Sequence, residues 1–184
     1  MKGFIFGVVV TLICLALGVY IYFSTGMAPV ATGAQGMPFE KTLANKALHA
    51  RVEKEMPKSV PIQPTEATYV AGAHDYVQHC AVCHGVPNQP QTAIANGEFP
   101  KPPQLFKGKG VTDDEPGETY WKIANGIRLT GMPGFKGDLS DTQMWQMALL
   151  LANADKIPQA AKDALQQSSI PTTTAAAPTA TEKK

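Results

Sequence analysis

The sequence predicts an all-α protein in which one apolar N-terminal helix precedes a compact helical domain. Three observations carry this expectation. Phe4 to Phe23 form an uncharged run of about 20 residues, the length that crosses a hydrocarbon core as a helix. Tyr69, Ala73, Tyr76 and Cys80 recur at helical spacing and make one apolar stripe. Ser140-Asp141-Thr142-Gln143 reads as a capping box, opening a helix whose inward stripe is Trp145, Ala148, Leu149 and Ala152.

Four segments follow in order along the 184 residues: an anchor at 1–23, a flexible linker with a short amphipathic helix at 24–64, the compact domain at 65–157, and a short helix with a disordered tail at 158–184. In the anchor, Tyr20, Tyr22 and Phe23 sit at the far end, where amphipathic rings favour the headgroup layer. Lys2 precedes the run and the next charge is Glu40, so the N-terminus is expected in the cytoplasm and the remainder across the membrane. For a bacterium this means the inner membrane, spanned by residues 4–23, with the domain on the periplasmic side. A cleaved signal peptide competes, with Thr32-Gly33-Ala34 as a small-residue site, but its apolar region is normally only about 7–15 residues. Cys14 lies mid-span after Leu12 and Ile13, the reading of a buried thiol rather than a lipid attachment site.

Ser24 to Pro38 is rich in Gly, Ala, Thr and Pro and uncharged, as a linker is. Leu43, Ala47, Leu48 and Val52 give Phe39 to Met56 an amphipathic helical pattern that Pro57 ends; Pro61 and Pro64 then stiffen an extended connector. Thr65 is placed to cap the first helix of the domain, on which Gly72 would let another helix come close. Residues 85 to 115 show little periodicity and read as a loop. Pro116 suits a first helical position, and Tyr120, Ile123 and Ala124 continue a helix that ends at Gly126. Lys156 to Gln167 add a short helix after Pro158, and Thr172 to Lys184 form a Thr/Ala/Pro tail.

Net charge is +1 and no basic stripe interleaves with aromatics, so nothing favours nucleic acid as a partner. The chemistry concentrates at Cys80-Ala81-Val82-Cys83-His84, which is C-x-x-C-H. Two thiols at this spacing can add to the two vinyl groups of one porphyrin, and the adjacent imidazole can bind the iron; this is the attachment site of a c-type haem. Zinc would need two further ligands, and the remaining cysteine, Cys14, lies in the apolar run. A thioredoxin-like site wants a βαβ context, which is missing here. A low-spin electron carrier needs a sixth ligand, and thioether sulfur raises the potential relative to a second nitrogen. Met132, between Gly131 and Pro133, is the candidate; Met144 and Met147 read as core residues, and an ordinary buried Met is the competing reading at 132. His49, His74 and His79 read as surface residues.

Helix, C-x-x-C-H, Pro-rich loop, helix ending in Asn125-Gly126, Gly131-Met132-Pro133 and a Trp145-bearing last helix occur in the order of the class I c-type cytochromes. Across roughly residues 66 to 155 the chain resembles a membrane-anchored, single-haem member of that family. The resemblance implies the cytochrome c fold, three main helices and loops around one covalently bound haem c, with Cys80 and Cys83 as attachment points and His84 and Met132 as axial ligands. It further implies a crossing of the first and last helices that brings Gly72 and Tyr76 to the face around Trp145 and Leu149. A proline carbonyl orients the proximal imidazole in the family, and Pro103 resembles that position, with Pro102 the alternative. Arg128, Tyr120 and Trp121 are candidates to meet the haem propionates or pack on the haem, although Arg128 reads equally well as a solvated residue. Leu150 stands where the family often has a Tyr. The function implied is electron transfer, iron cycling between Fe(II) and Fe(III), by a carrier and not an enzyme. Its expected partners are membrane-bound and periplasmic redox proteins, linking respiratory complexes to a terminal acceptor enzyme. The alternative is a permanent haem c subunit of a dehydrogenase or oxidase.

Overall fold

The computed structural model describes residues 1–167; the tail expected at 172–184 lies outside them. Among the described residues there are eight helices and no strand, with one isolated bridge between Lys136 and Leu139. Backbone contacts divide the chain into two units, Met1–Asn45 and from Lys46 onward.

The first unit contains α1 (Lys2–Ser24), whose 23 residues include none that is buried. At 1.5 Å per residue it reaches about 34 Å, enough to cross a hydrocarbon core of about 30 Å. Its threonine hydroxyl and that of the capping threonine turn back onto the helix, as a lipid environment favours. Thr11 Oγ1 donates to Gly7 O at 2.9 Å, and Thr25 Oγ1 to Ile21 O at 2.7 Å. This helix fits a transmembrane helix. The helix α2 (Glu40–Glu55) begins in the first unit and ends in the second. Of its expected apolar stripe, Leu43 is exposed, Leu48 is half-buried and only Val52 is buried.

The second unit is built on α3 (Glu66–His79), α6 (Pro116–Asn125), α7 (Asp141–Ala152) and α8 (Gln159–Gln166). The caps form as the sequence predicts. Thr65 Oγ1 accepts from Thr68 N at 3.2 Å, and Ser140 and Gln143 bond each other's backbone N–H groups at 3.3 and 3.1 Å. α3 packs on both α7 and α8, and α6 packs on α7. Where α3 meets α7, a Cβ on Gly72 would collide with the backbone carbonyl of Gln146, so only glycine permits this approach. Tyr120 stacks on Trp145, ring centroids 4.2 Å apart, joining α6 to α7. The core takes in residues on both sides of the 65–157 span: Val52 from α2, and Ala161, Ala164 and Leu165 from α8, are all buried.

Two short helices interrupt the stretch around the motif. α4 (Ala81–His84) continues from the end of α3, and α5 (Ala93–Gly97) lies within what the sequence presents as a loop. Five residues are too few to show a helical period, but Thr92 caps α5 by accepting from Ala95 N at 3.1 Å. Tyr76, fully buried on α3, donates its hydroxyl to Gly85 O at 2.7 Å and meets Phe106 edge-on. One side chain thereby fixes the chain just past His84.

Gly72→Ala should destabilise the second unit by about 1–3 kcal/mol, because backbone atoms cannot yield to the new methyl. Gly97→Ala, where a Cβ meets open space, should stay within about 0.5 kcal/mol of the parent. Urea midpoints at unchanged slope check the contrast.

Candidate functional site

The C-x-x-C-H residues occupy a single turn. Cys80 ends α3, and its carbonyl accepts from Cys83 N at 3.1 Å and His84 N at 2.9 Å. Gly85 leaves the turn at φ +70. A side chain there would strike Gln104 Oε1, whose amide nitrogen also donates to Cys83 O at 3.3 Å. Thus the 102–105 loop clasps the motif, and Pro103 O lies 2.8 Å from His84 Nδ1. A carbonyl only accepts, so Nδ1 carries the proton and the lone pair is on Nε2. Burial lowers the His84 pKa, opposed by the Pro103 bond and by the charge of Glu98. The imidazole is therefore held neutral.

A second loop faces the first. Phe135 N and Lys136 N donate to Ile123 O and Ala124 O at 3.0 Å each, folding 126–136 back on the end of α6. Inside it, Ile127 N donates to Met132 O at 3.2 Å, and Met132 N to Thr130 Oγ1 at 3.1 Å. Gly126, at φ +67, has Gly134 N and Pro133 C where a Cβ would stand. The loop that carries Met132 is thus tied down by main-chain contacts.

One largely apolar cavity brings these parts together. Its wall includes Cys80, Cys83, His84, Pro102, Pro103 and Met132, with Leu105, Val111, Ile123, Ile127 and Leu151 as apolar lining. Burial pushes the Cys80 thiol up to about 12, aided by the charges of Asp75 and Cys83. Burial also raises the Cys83 thiol to about 11, aided by Glu98, whose carboxylate accepts from Sγ at 3.1 Å. At neutral pH both are S–H groups, and adding S–H across a vinyl double bond gives a thioether.

Other sequence expectations land elsewhere. Arg128 is exposed and lies off the cavity wall, as does Trp121, whose Nε1–H donates to Glu55 Oε2 at 3.3 Å. The Tyr120 hydroxyl donates to Asp141 Oδ1 at 2.9 Å. His79, expected at the surface, is half-buried on the cavity wall with its ring 5.8 Å from that of Phe135. Met144 and Met147 are buried in the core, as expected. The wall also holds Leu48, from the apolar stripe of α2, and Glu98, Thr119 and Lys122, none of which the sequence marks. Glu98 sits in the irregular stretch, and Thr119 and Lys122 look like ordinary polar positions of α6.

Residues 67–151 match the family described as cytochrome C oxidase, cbb3-type, subunit III. Residues 67–151 form a c-type cytochrome domain. This domain implies haem c as the cofactor and haem-based electron transfer as the activity. The cytochrome is also similar to a solved structure, the reducing HAO-like protein complex of Kuenenia stuttgartiensis. Identity there is 27%, over 55% of this chain and 52% of that one, with a TM-score of 0.45. It thus spans about half the length of the structure it matches. No curated protein matches it. The wall suits this cofactor chemically: two thiols within one turn, an imidazole lone pair, a thioether, apolar surroundings, and one buried hydroxyl, Thr119 Oγ1, without a partner among the described residues.

Gly126→Ala should displace the Met132 loop of the cytochrome, since the new methyl meets backbone and the φ is strained. A loss of about 1–3 kcal/mol in urea unfolding checks this.

Proposed function

We propose that the cytochrome holds one haem c through Cys80 and Cys83, with His84 and Met132 as axial ligands, and serves as a membrane-tethered periplasmic electron carrier. The observation that carries this reading is the convergence of all four side chains on one apolar cavity. The haem supplies one-electron Fe(II)/Fe(III) chemistry when bound. The chain's part is to hold and tune it. Pro103 O orients the His84 ring and raises its basicity as a ligand. Met132 favours the reduced state relative to a nitrogen ligand. With two protein ligands the iron keeps no open position, so the work left is electron transfer through the exposed edge.

The apolar α1 supports the tether, and Lys2 supports a cytoplasmic N-terminus with the remainder in the periplasm of a bacterial inner membrane. The segment Ser24 to Pro38, taken as flexible, has a typical span of roughly 20 Å, enough to raise the local concentration of membrane partners. In this role the cytochrome passes electrons between respiratory complexes and a terminal acceptor enzyme. A second reading, a permanent haem c subunit of an oxidase or dehydrogenase, is favoured by the oxidase-subunit description of the matching family. Stoichiometric copurification with a catalytic subunit separates the two.

In the wild type, haem should resist acid-acetone extraction after denaturation; Cys80→Ala combined with Cys83→Ala should release it. Met132→Ala should keep haem attached, bind carbon monoxide in the ferrous state and lower the potential. Met144→Ala should do neither, and equal behaviour of the two variants sinks the ligand assignment.

An exported chain beginning at Lys46, which retains Val52 and Glu55, should be soluble with an unchanged spectrum. It should exchange electrons with a small mediator at the normal rate yet support membrane-linked respiration poorly. Full respiration with this chain would show that the tether plays no part.

A further inference from the structure

Leu48, Val52 and Glu55 stand at i, i+4 and i+7 of α2, on one face of the helix. All three belong to the second unit, which takes in α2 from Lys46 onward. Val52 is 2% exposed, although most of α2 faces solvent. Glu55 Oε2 accepts from Trp121 Nε1 of α6 at 3.3 Å, and its Oε1 lies 2.8 Å from Arg51 Nη2. Just past the helix, Pro57 O stands where a Cβ on the buried Gly117 of α6 would be. The chain meets α6 backbone to backbone there. These ties fix which face α2 turns inward.

Leu48 lies one turn back from Val52 along that face. It is half-buried and belongs to the wall of the cavity that also holds Cys80, Cys83, His84 and Met132. Apolar character alone does not bring a residue of α2 inward, for Leu43 is 64% exposed. The family match begins at residue 67, so α2 stands outside the matched stretch and still supplies part of the cavity. A leucine on a cavity wall leaves apolar surface to water unless an apolar occupant covers it. A porphyrin is such an occupant.

We propose that α2, from Lys46 onward, is a strap over the haem cavity, with the Leu48 side chain lying against the cofactor and keeping water from it. This rests on the haem attachment proposed above. Ferric iron carries one more positive charge than ferrous iron, and a drier, less polar surround disfavours that charge. Cover from Leu48 therefore raises the potential. A helix on the membrane side of the matched stretch thus takes part in setting the property by which the carrier works.

Nuclear magnetic resonance spectra of the full-length haem protein, carbon-13 labelled at the leucine methyls and held ferrous, test it together with redox titrations. A methyl close to a porphyrin is moved out of its usual range by the ring current. Leu48→Ala should remove one such displaced pair of signals, whereas Leu43→Ala should remove a pair at ordinary positions. The potential should fall in L48A and stay near that of the wild type in Leu48→Met, which keeps an apolar side chain of similar volume. If L48A fails to take up haem, L48M assigns the signals in the same way. A loaded L48A that loses only an ordinary pair, or that holds the wild-type potential, overturns the proposal. Leu105 and Leu151 line the same cavity. A wild-type spectrum without any displaced leucine methyl therefore overturns the reading of this cavity as the haem site, and the strap falls with it.

Discussion

The approach of α3 to α7 at Gly72 is the constraint on which the rest depends. With no side chain at that position, the α3 backbone comes against Gln146 and sets the angle at which α3 runs to its end. The two thiols and the imidazole of the motif hang from that end. One turn beyond Gly72, Tyr76 reaches down to Gly85 O, and Cys80 closes the helix and begins the next turn. A shift of α3 along α7 would move both thiols and the imidazole together, away from the loop that carries Met132. The buried Tyr76 hydroxyl is raised in pKa by burial, so it stays a donor over the whole working range.

Around this frame the cavity is mostly apolar, with its polar atoms placed singly. His84 is held from behind by a main-chain carbonyl, which cannot change charge. Glu98 is the one carboxylate on the wall, half-buried and against Cys83. Burial and Glu98 push the Cys83 thiol up, and only the former acts without a formal charge. A low-dielectric wall makes each such neighbour weigh more than it would in water.

How much of this was legible in the sequence follows from how local each signal is. Cys80, Cys83 and His84 are spaced within one turn, and Met132 is framed by Gly131 and Pro133. The caps at Thr65 and Ser140 are set by residues three apart. These could be read because the physics that uses them acts over a few residues. Pro103 could be placed through family likeness, since nothing nearby marks its carbonyl. Glu98, Thr119 and His79 could not be placed, because each becomes part of the wall only when separate elements meet around it. Arg128 and Trp121 show the converse: residue types suited to a propionate, set by the fold outside the cavity wall. The helical stripe of α2 overstated its buried face, as only Val52 is covered, and α5 was too short to leave a period.

The 126–136 loop separates two properties that an electron carrier must set independently. Main-chain bonds to Ile123 and Ala124, the internal bonds of Thr130, and glycines at 126 and 134 tie it down. Leu129, 89% exposed, and the exposed Arg128 take no part in that fastening. Sequence change at these two positions can alter what the surface presents to another protein while the backbone under Met132 stays where it is. With Met132 as the proposed iron ligand, a lineage of such cytochromes could therefore exchange one partner for another without resetting the iron, and the loop is the joint at which that exchange is cheapest.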